Sequence, residues 1–232
     1  MSHQTIAGSR SAVAIMAKAP LAGEVKTRLC PPLTHDTAAK LYQCFLRDKI
    51  AQVNALQRAT PVISYSPADA RSTFEALTPA HFLLIPQRGH DLGARILGTF
   101  EQLFGQGYHR VVVIDSDTPT LPVDFLEQAL RLVTEVEHDV VLGPTEDGGY
   151  YLIGLRHSYP ALFAQMPWST PEVFAETCRR STRCGLTVAC TEGWYDVDTP
   201  DDLTRLAASF AQIHNGWARH TRQFFRKFRN LL

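Results

Sequence analysis

The chain has 232 residues, 45% of them hydrophobic, and 23 lysines and arginines face 23 aspartates and glutamates. That length and apolar share suit one large α/β domain with a real core, and the even balance supplies no global field for nucleic acid. Cys30, Cys44, Cys178, Cys184 and Cys190 form no C-x-x-C pair, which argues against a disulfide scaffold and a zinc site. There is no apolar run of about 18 residues to span a membrane, and the first twenty residues lack the apolar stretch of a signal peptide. A reduced, cytoplasmic protein is expected.

Residues 12–17, "AVAIMA", read as a first strand, followed by the Pro/Gly loop "KAPLAGEVKTRLCPPL". Leu41, Phe45, Leu46 and Ile50 then recur at helical spacing, with cap chemistry at Thr34 to Asp36. Strands are expected at 60–66 and 81–87, and a helix over 92–104. "RVVVID" is a fourth strand and "PVDFLEQALRLVTEV" a helix. "DVVLGP" and "GGYYLIGL" are a fifth and a sixth strand. Strands that alternate with helices and read as near-continuous apolar runs predict a mostly parallel sheet covered on both faces. Ligands bind outside the carboxyl ends of such strands. The loops there hold Lys18, Lys26, Arg28, Gln87, Asp91, Asp115, Asp117, Glu146 and Asp147.

Three of these loops carry candidate chemistry. The first combines Lys18, Lys26 and Arg28 with Gly23, which lets backbone N–H groups approach a ligand. Amide donors plus point charges hold phosphate in this way, although the loop is neither a Walker A nor a G-x-G-x-x-G motif. The second, "DSDTPTLP", places Asp115 and Asp117 at a buried strand end. Carboxylates there need a positive partner. Mg²⁺ or Mn²⁺ fits, because one or two carboxylates suffice when substrate phosphate supplies the rest. An ion pair to Lys26 or Arg28 is the alternative. The third, Asp147-Gly148-Gly149-Tyr150, is a turn that also places a ring at the edge. Far along the chain, "WYDVDTPDDL" holds Asp196, Asp198, Asp201 and Asp202. Asp201 and Asp202 read as first-turn acids of a helix. Asp198 is either an N-cap or a metal ligand.

The segments "AKAPLAGEVKTRL", "DSDTPTLP", "GPTEDGGYYLIGL", "PWST" and "DVDTPDDL", in that order, resemble the radical-SAM/selenodomain-associated transferases. These are small members of the nucleotide-diphospho-sugar transferase superfamily, and the resemblance covers roughly residues 12–210. It implies a GT-A type three-layer sandwich with a mostly parallel central sheet. It implies metal ligation by Asp117 and Asp198, with Asp115 a further candidate where the family has a small residue. It implies catalysis by Lys26 and Asp117, and nucleotide or phosphate binding by Lys18, Gly23, Lys26, Arg28, Gln87 and Asp91. Asp147, Gly148, Gly149 and Tyr150 fall on the acceptor side.

The expected activity is a metal-dependent transfer of a glycosyl or nucleotidyl group from a nucleotide-sugar or NTP to a small acceptor, with Mg²⁺ or Mn²⁺ as cofactor. A non-catalytic nucleotide-sugar binding protein is the alternative. Residues 1–214 are expected as one domain, and 215–232 as a basic amphipathic helix after a C-cap at Asn215-Gly216. The aromatic and cationic pattern of that helix suits a membrane surface, but packing on its own domain or across a homodimer is preferred.

Overall fold

A computed structural model describes residues 10–134, 138–211 and 217–228. Strands β1 (Ser11–Lys18), β2 (Thr60–Ser66), β3 (Leu83–Pro86), β4 (Arg110–Ile114), β5 (Val140–Pro144), β6 (Tyr150–Leu155) and β7 (Val188–Cys190) form one sheet in the order β3-β2-β1-β4-β6-β5-β7. Every pairing is parallel except those of β6, which runs antiparallel to both β4 and β5. The start of β6 therefore shares an edge with the carboxyl ends of the parallel strands. The loops that bear Lys26, Gln87, Asp117, Asp147 and Asp198 meet there.

The helices are α1 (His35–Asn54), α2 (Arg71–Leu77), α3 (Leu92–Gly105), α4 (Val123–Thr134), α5 (Val173–Arg183), α6 (Pro200–Ser209) and α7 (Arg219–Lys227). Strand periodicity separates two cores. Val13, Ile15, Val112 and Ile114 face α1, α4 and α6, where Phe45, Leu126 and Leu206 bury. Ala12, Ala14, Val111 and Val113 face α3, where Ile96, Phe100 and Leu103 bury. The Phe100 ring there meets those of Phe104 and Phe163. The result is the three-layer α/β sandwich expected from the sequence, with a seven-stranded, mostly parallel sheet.

Helices α2 and α5 and strand β7 add to the elements expected from sequence. The expected end of α4 at 135–136 lies outside the described residues. So do the expected C-cap at Asn215-Gly216 and residues 229–232 of the expected basic helix.

Helix α7 lies on the body of the protein. Phe224 is buried in the α1-side core, and Trp217, Phe225 and Phe228 pack against it. The aromatic face of the tail is thus spent on the protein itself, and Arg219, Arg226 and Lys227 point to solvent. The helix has no side-chain cap of its own. Asp48 of α1 supplies one from a distance. Its Oδ1 accepts from the His220 N–H at 2.9 Å, and its Oδ2 accepts from the Thr221 N–H at 2.8 Å and the Thr221 hydroxyl at 2.6 Å. Burial pushes the Asp48 carboxyl up, and these donors only partly oppose it. No described helix is long and apolar enough to cross a membrane.

Replacing Asp48 with alanine strands two backbone donors at a helix N-terminus. The expected loss is about 2 kcal/mol, a fall in Tm of about 4–8 °C for a chain of this size. Thermal unfolding of Asp48→Ala beside the wild type measures it.

Candidate active-site cleft

A cleft with a cavity volume of about 840 Å³ opens at the carboxyl edge of the sheet, within the size range of ligand pockets. Lys18, Lys26, Arg28, Gln87, Asp91, Asp115, Asp117, Asp147, Gly149, Tyr150 and Asp198 all line it. Of the site residues expected from sequence, Gly23 and Gly148 stand apart from its walls. Both adopt positive φ, +83° and +89°, so their part is to turn the chain. Gly148 also lies against the Pro171 backbone, where a Cβ would come within 2.2 Å of the carbonyl oxygen.

The centre of the cleft is Lys26. It follows β1 on a loop whose anchors, Val25 and Leu29, are buried. Its Nζ lies 2.5 Å from Asp117 Oδ1 and donates to Asp198 Oδ1 and the Val197 carbonyl, both at 2.8 Å. An ammonium has three protons, and all three are used. The Lys26 side chain is only 5% exposed, whereas Asp117 and Asp198 are 35% and 32% exposed. Burial pulls the ammonium down, but the two carboxylates outweigh it and hold its pKa above the usual lysine range. Burial likewise pushes Asp198 up, and Lys26 reverses that to leave it below the usual carboxylate range. Arg28 Nη1 adds a looser contact to Asp198 Oδ2 at 3.5 Å. The Val197 N–H donates to the Asp117 carbonyl at 3.0 Å, so a backbone bond sets the register of the two acids.

Asp198 is not the helix cap. Thr199 caps α6, in a capping box completed by Asp202, as the acids of that first turn suggest. Asp202 Oδ2 accepts from the N–H groups of both Asp198 and Thr199. The carboxylate of Asp198 is thereby left free to face the cleft.

Asp115 is held differently. Its Oδ1 accepts from Thr118 Oγ1 at 2.7 Å and lies 3.6 Å from Nζ of Lys49. The Lys49 side chain is fully buried beneath the cleft, with no hydrogen-bond acceptor on Nζ. Burial lowers its pKa, opposed by Asp115. Burial pushes the Asp115 carboxyl up to about 6, against the pull of Lys49 and with a further push from Asp117. So Asp117 and Asp198 share the Lys26 ammonium, and Asp115 turns to Lys49 and Thr118. Beside them, Tyr42 Oη and Ser116 Oγ lie 2.9 Å apart, and the Lys18 N–H donates to Tyr42 Oη at 3.1 Å.

The remaining walls are built around structural bonds. Gln87 Nε2 donates to the Ser64 carbonyl at 2.8 Å and the Ala17 carbonyl at 3.3 Å, joining the ends of β2 and β1. Asp91 caps α3 through the Ala94 N–H at 2.7 Å. Asp147 Oδ1 accepts from Thr145 Oγ1 and the Gly149 N–H, which closes the hairpin turn. Glu146 forms a two-pronged pair with Arg205 of α6. The Tyr150 ring meets Trp168 edge-on, with centroids 6.3 Å apart. Trp168 comes from the "PWST" segment, and Gly93 makes room for it, since a Cβ there would lie 2.7 Å from the indole nitrogen.

Among the described residues, no three His, Cys, Asp or Glu side chains gather as a metal cluster. The pair Asp117 and Asp198 still fits a hard dication that takes its other oxygens from phosphate and water. Sequence reasoning gave no role to Lys49, Tyr42 or Trp168. For Lys49 a signal existed. It stands one turn from Phe45 and one from Val53, on the buried stripe of α1.

Sheet order and cleft together define an α/β protein of the nucleotide-diphospho-sugar transferase fold. The chain is 34% identical to a candidate nucleotide-diphospho-sugar transferase of Desulfovibrio desulfuricans G20, with 97% of each chain covered and a TM-score of 0.88. CMP:2-keto-3-deoxy-manno-octonic acid synthetase in complex with CTP has the same fold at 15% identity, covering 88% of this chain and 99% of its own, with a TM-score of 0.58. So has molybdopterin-guanine dinucleotide biosynthesis protein A of Archaeoglobus fulgidus, at 14% identity, 87% and 99% coverage and a TM-score of 0.57. No curated protein matches. The family described as "uncharacterized protein conserved in bacteria", DUF2064, matches residues 49–170, and the chain belongs to it. These likenesses are to the transferase fold and say nothing of a radical-SAM partner.

Burial, with Asp198 and Asp147 nearby, pushes the Asp196 carboxyl up to about 7, against an ordinary value of about 3.9. Between those values the folded chain binds more protons than the unfolded one, so this group's contribution to stability is lost as pH rises. Asp196→Asn mimics the protonated form. It should match the wild type in urea midpoint near pH 4 and exceed it near pH 8.

Proposed function

We propose that the protein is a metal-dependent transferase that moves a nucleotidyl or glycosyl group from an NTP or nucleotide-sugar to a small acceptor. The observation that carries this reading is the convergence of Asp117, Asp198 and the loop bearing Lys18, Lys26 and Arg28 on one cleft. The fold relatives described as a CTP complex and as a dinucleotide-synthesis protein support nucleotide as the ligand class.

Asp117 and Asp198 would hold Mg²⁺ or Mn²⁺, which supplies charge neutralisation at the diphosphate. Lys18, Lys26 and Arg28 bind and orient the phosphates and stabilise the negative charge that builds on the leaving group. Asp147, Gly149 and Tyr150 line the side on which the acceptor enters. The acceptor itself attacks, at phosphorus or at the anomeric carbon, so no side-chain nucleophile is needed.

A thermal-shift screen of the four NTPs and common nucleotide-sugars with Mg²⁺ or Mn²⁺ tests the reading. A metal-dependent rise in Tm is expected with at least one nucleotide, and Asp117→Ala should abolish it. Release of pyrophosphate identifies nucleotidyl transfer, and release of a nucleoside diphosphate identifies glycosyl transfer. Binding without either product would make the protein a binder. In the active case, Arg28→Ala should lower kcat about a hundredfold or more. No metal-dependent shift with any nucleotide would overturn the assignment.

A further inference from the structure

We propose that Lys26 reserves the Asp117–Asp198 pair for a divalent cation that arrives together with a polyphosphate, and turns away the free cation. The proposal rests on reading that pair as the cation site. All three protons of the Lys26 ammonium are spent inside the protein, on Asp117, Asp198 and the Val197 carbonyl. While the lysine holds both carboxylates, it has no donor left for a phosphate. Carboxylates and phosphate therefore compete for one ammonium.

A dication entering alone meets that fixed positive charge at contact range. It must also shed water, which Mg²⁺ does reluctantly. Nothing then replaces the three acceptors that the displaced lysine gives up, and its buried stem leaves the ammonium little solvent to turn to. A polyphosphate changes both sides of the exchange. Its oxygens accept from the released ammonium, and further oxygens complete the shell of the cation. Arg28 stands at the mouth, with a side chain 72% exposed and 3.5 Å from Asp198 Oδ2, where an incoming anion meets it first. Lys26 also sits in the left-handed region at φ 50°, ψ 36°, sparsely populated for residues other than glycine. Its backbone is thus held in a particular pose between two buried anchors while its long side chain provides the reach.

Manganese titration of the nucleotide-free protein, read as loss of the free Mn²⁺ EPR signal, tests the exclusion. Binding should be weak in the wild type and at least tenfold tighter in Lys26→Met. Lys26→Arg keeps a cation in place and should stay weak. No gain in Lys26→Met, or wild-type binding as tight as that variant's, overturns the proposal. Lys26→Met leaves two carboxylates face to face, so a second measurement uses the wild-type chain. A buried ammonium with three acceptors exchanges its protons slowly and gives an Nζ–H NMR signal, assigned by its absence in Lys26→Arg. It should hold its position with Mg²⁺ alone and move when Mg²⁺ and inorganic triphosphate are added together. Movement with Mg²⁺ alone, or none with both, overturns the proposal. These readouts need neither nucleoside nor turnover, so failed transfer does not bear on them. Mn²⁺–triphosphate binding that Asp117→Asn loses keeps the cation-site reading even where the role of Lys26 falls.

Discussion

The architecture of the cleft depends on one buried ammonium. Lys26 draws together the loop after β1, the loop after β4 and the segment before α6, which lie 91 and 81 residues apart along the chain. Taking such a charge out of water costs several kcal/mol. That cost is offset only because three acceptors surround it. The bond from the Val197 N–H to the Asp117 carbonyl fixes the same junction without charge. Electrostatics and backbone thus agree on one arrangement of two acids that sequence places far apart.

The acids at the end of β4 illustrate how local geometry sorts chemistry. A continuing strand would put Asp115 and Asp117 on the same face. The strand stops at Ile114, and the two diverge. Asp115 turns to Lys49 and Thr118, below the cleft. Asp117 reaches Lys26 within it. The lower pair gives the loop a foundation, and the upper pair keeps partial exposure to solvent and to ligands.

Much of this was legible in the sequence. Apolar runs marked β1 to β6, and the parallel pattern marked the edge where ligand chemistry gathers. Other elements left little trace. Helix α5 buries Val173, Thr177 and Ser181 at helical spacing, but two of the three are polar, so no hydrophobic stripe announces it. Helix α2 fully buries only Phe74, and β7 has three residues, none of them fully buried. In the site, the individual residues were visible but their partners were not. Spacing cannot show that Lys26 takes both Asp117 and Asp198, because that depends on how β7 and its following loop return to the sheet edge. Gln52 was hidden for a similar reason. It looks like a surface amide, yet it is buried and donates to the carbonyls of Pro119 and Leu121.

Two neighbours on α1 face different tasks. Asp48 holds the first turn of α7, and Lys49 lies under Asp115. A chain cut short before residue 219 would therefore do more than lose a basic extension. It would leave a carboxylate in an apolar wall with its donors gone, next to the lysine on which the floor of the cleft rests. The tail of this protein is structurally part of its centre, and shortening it from that end reaches the chemistry through a single peptide bond.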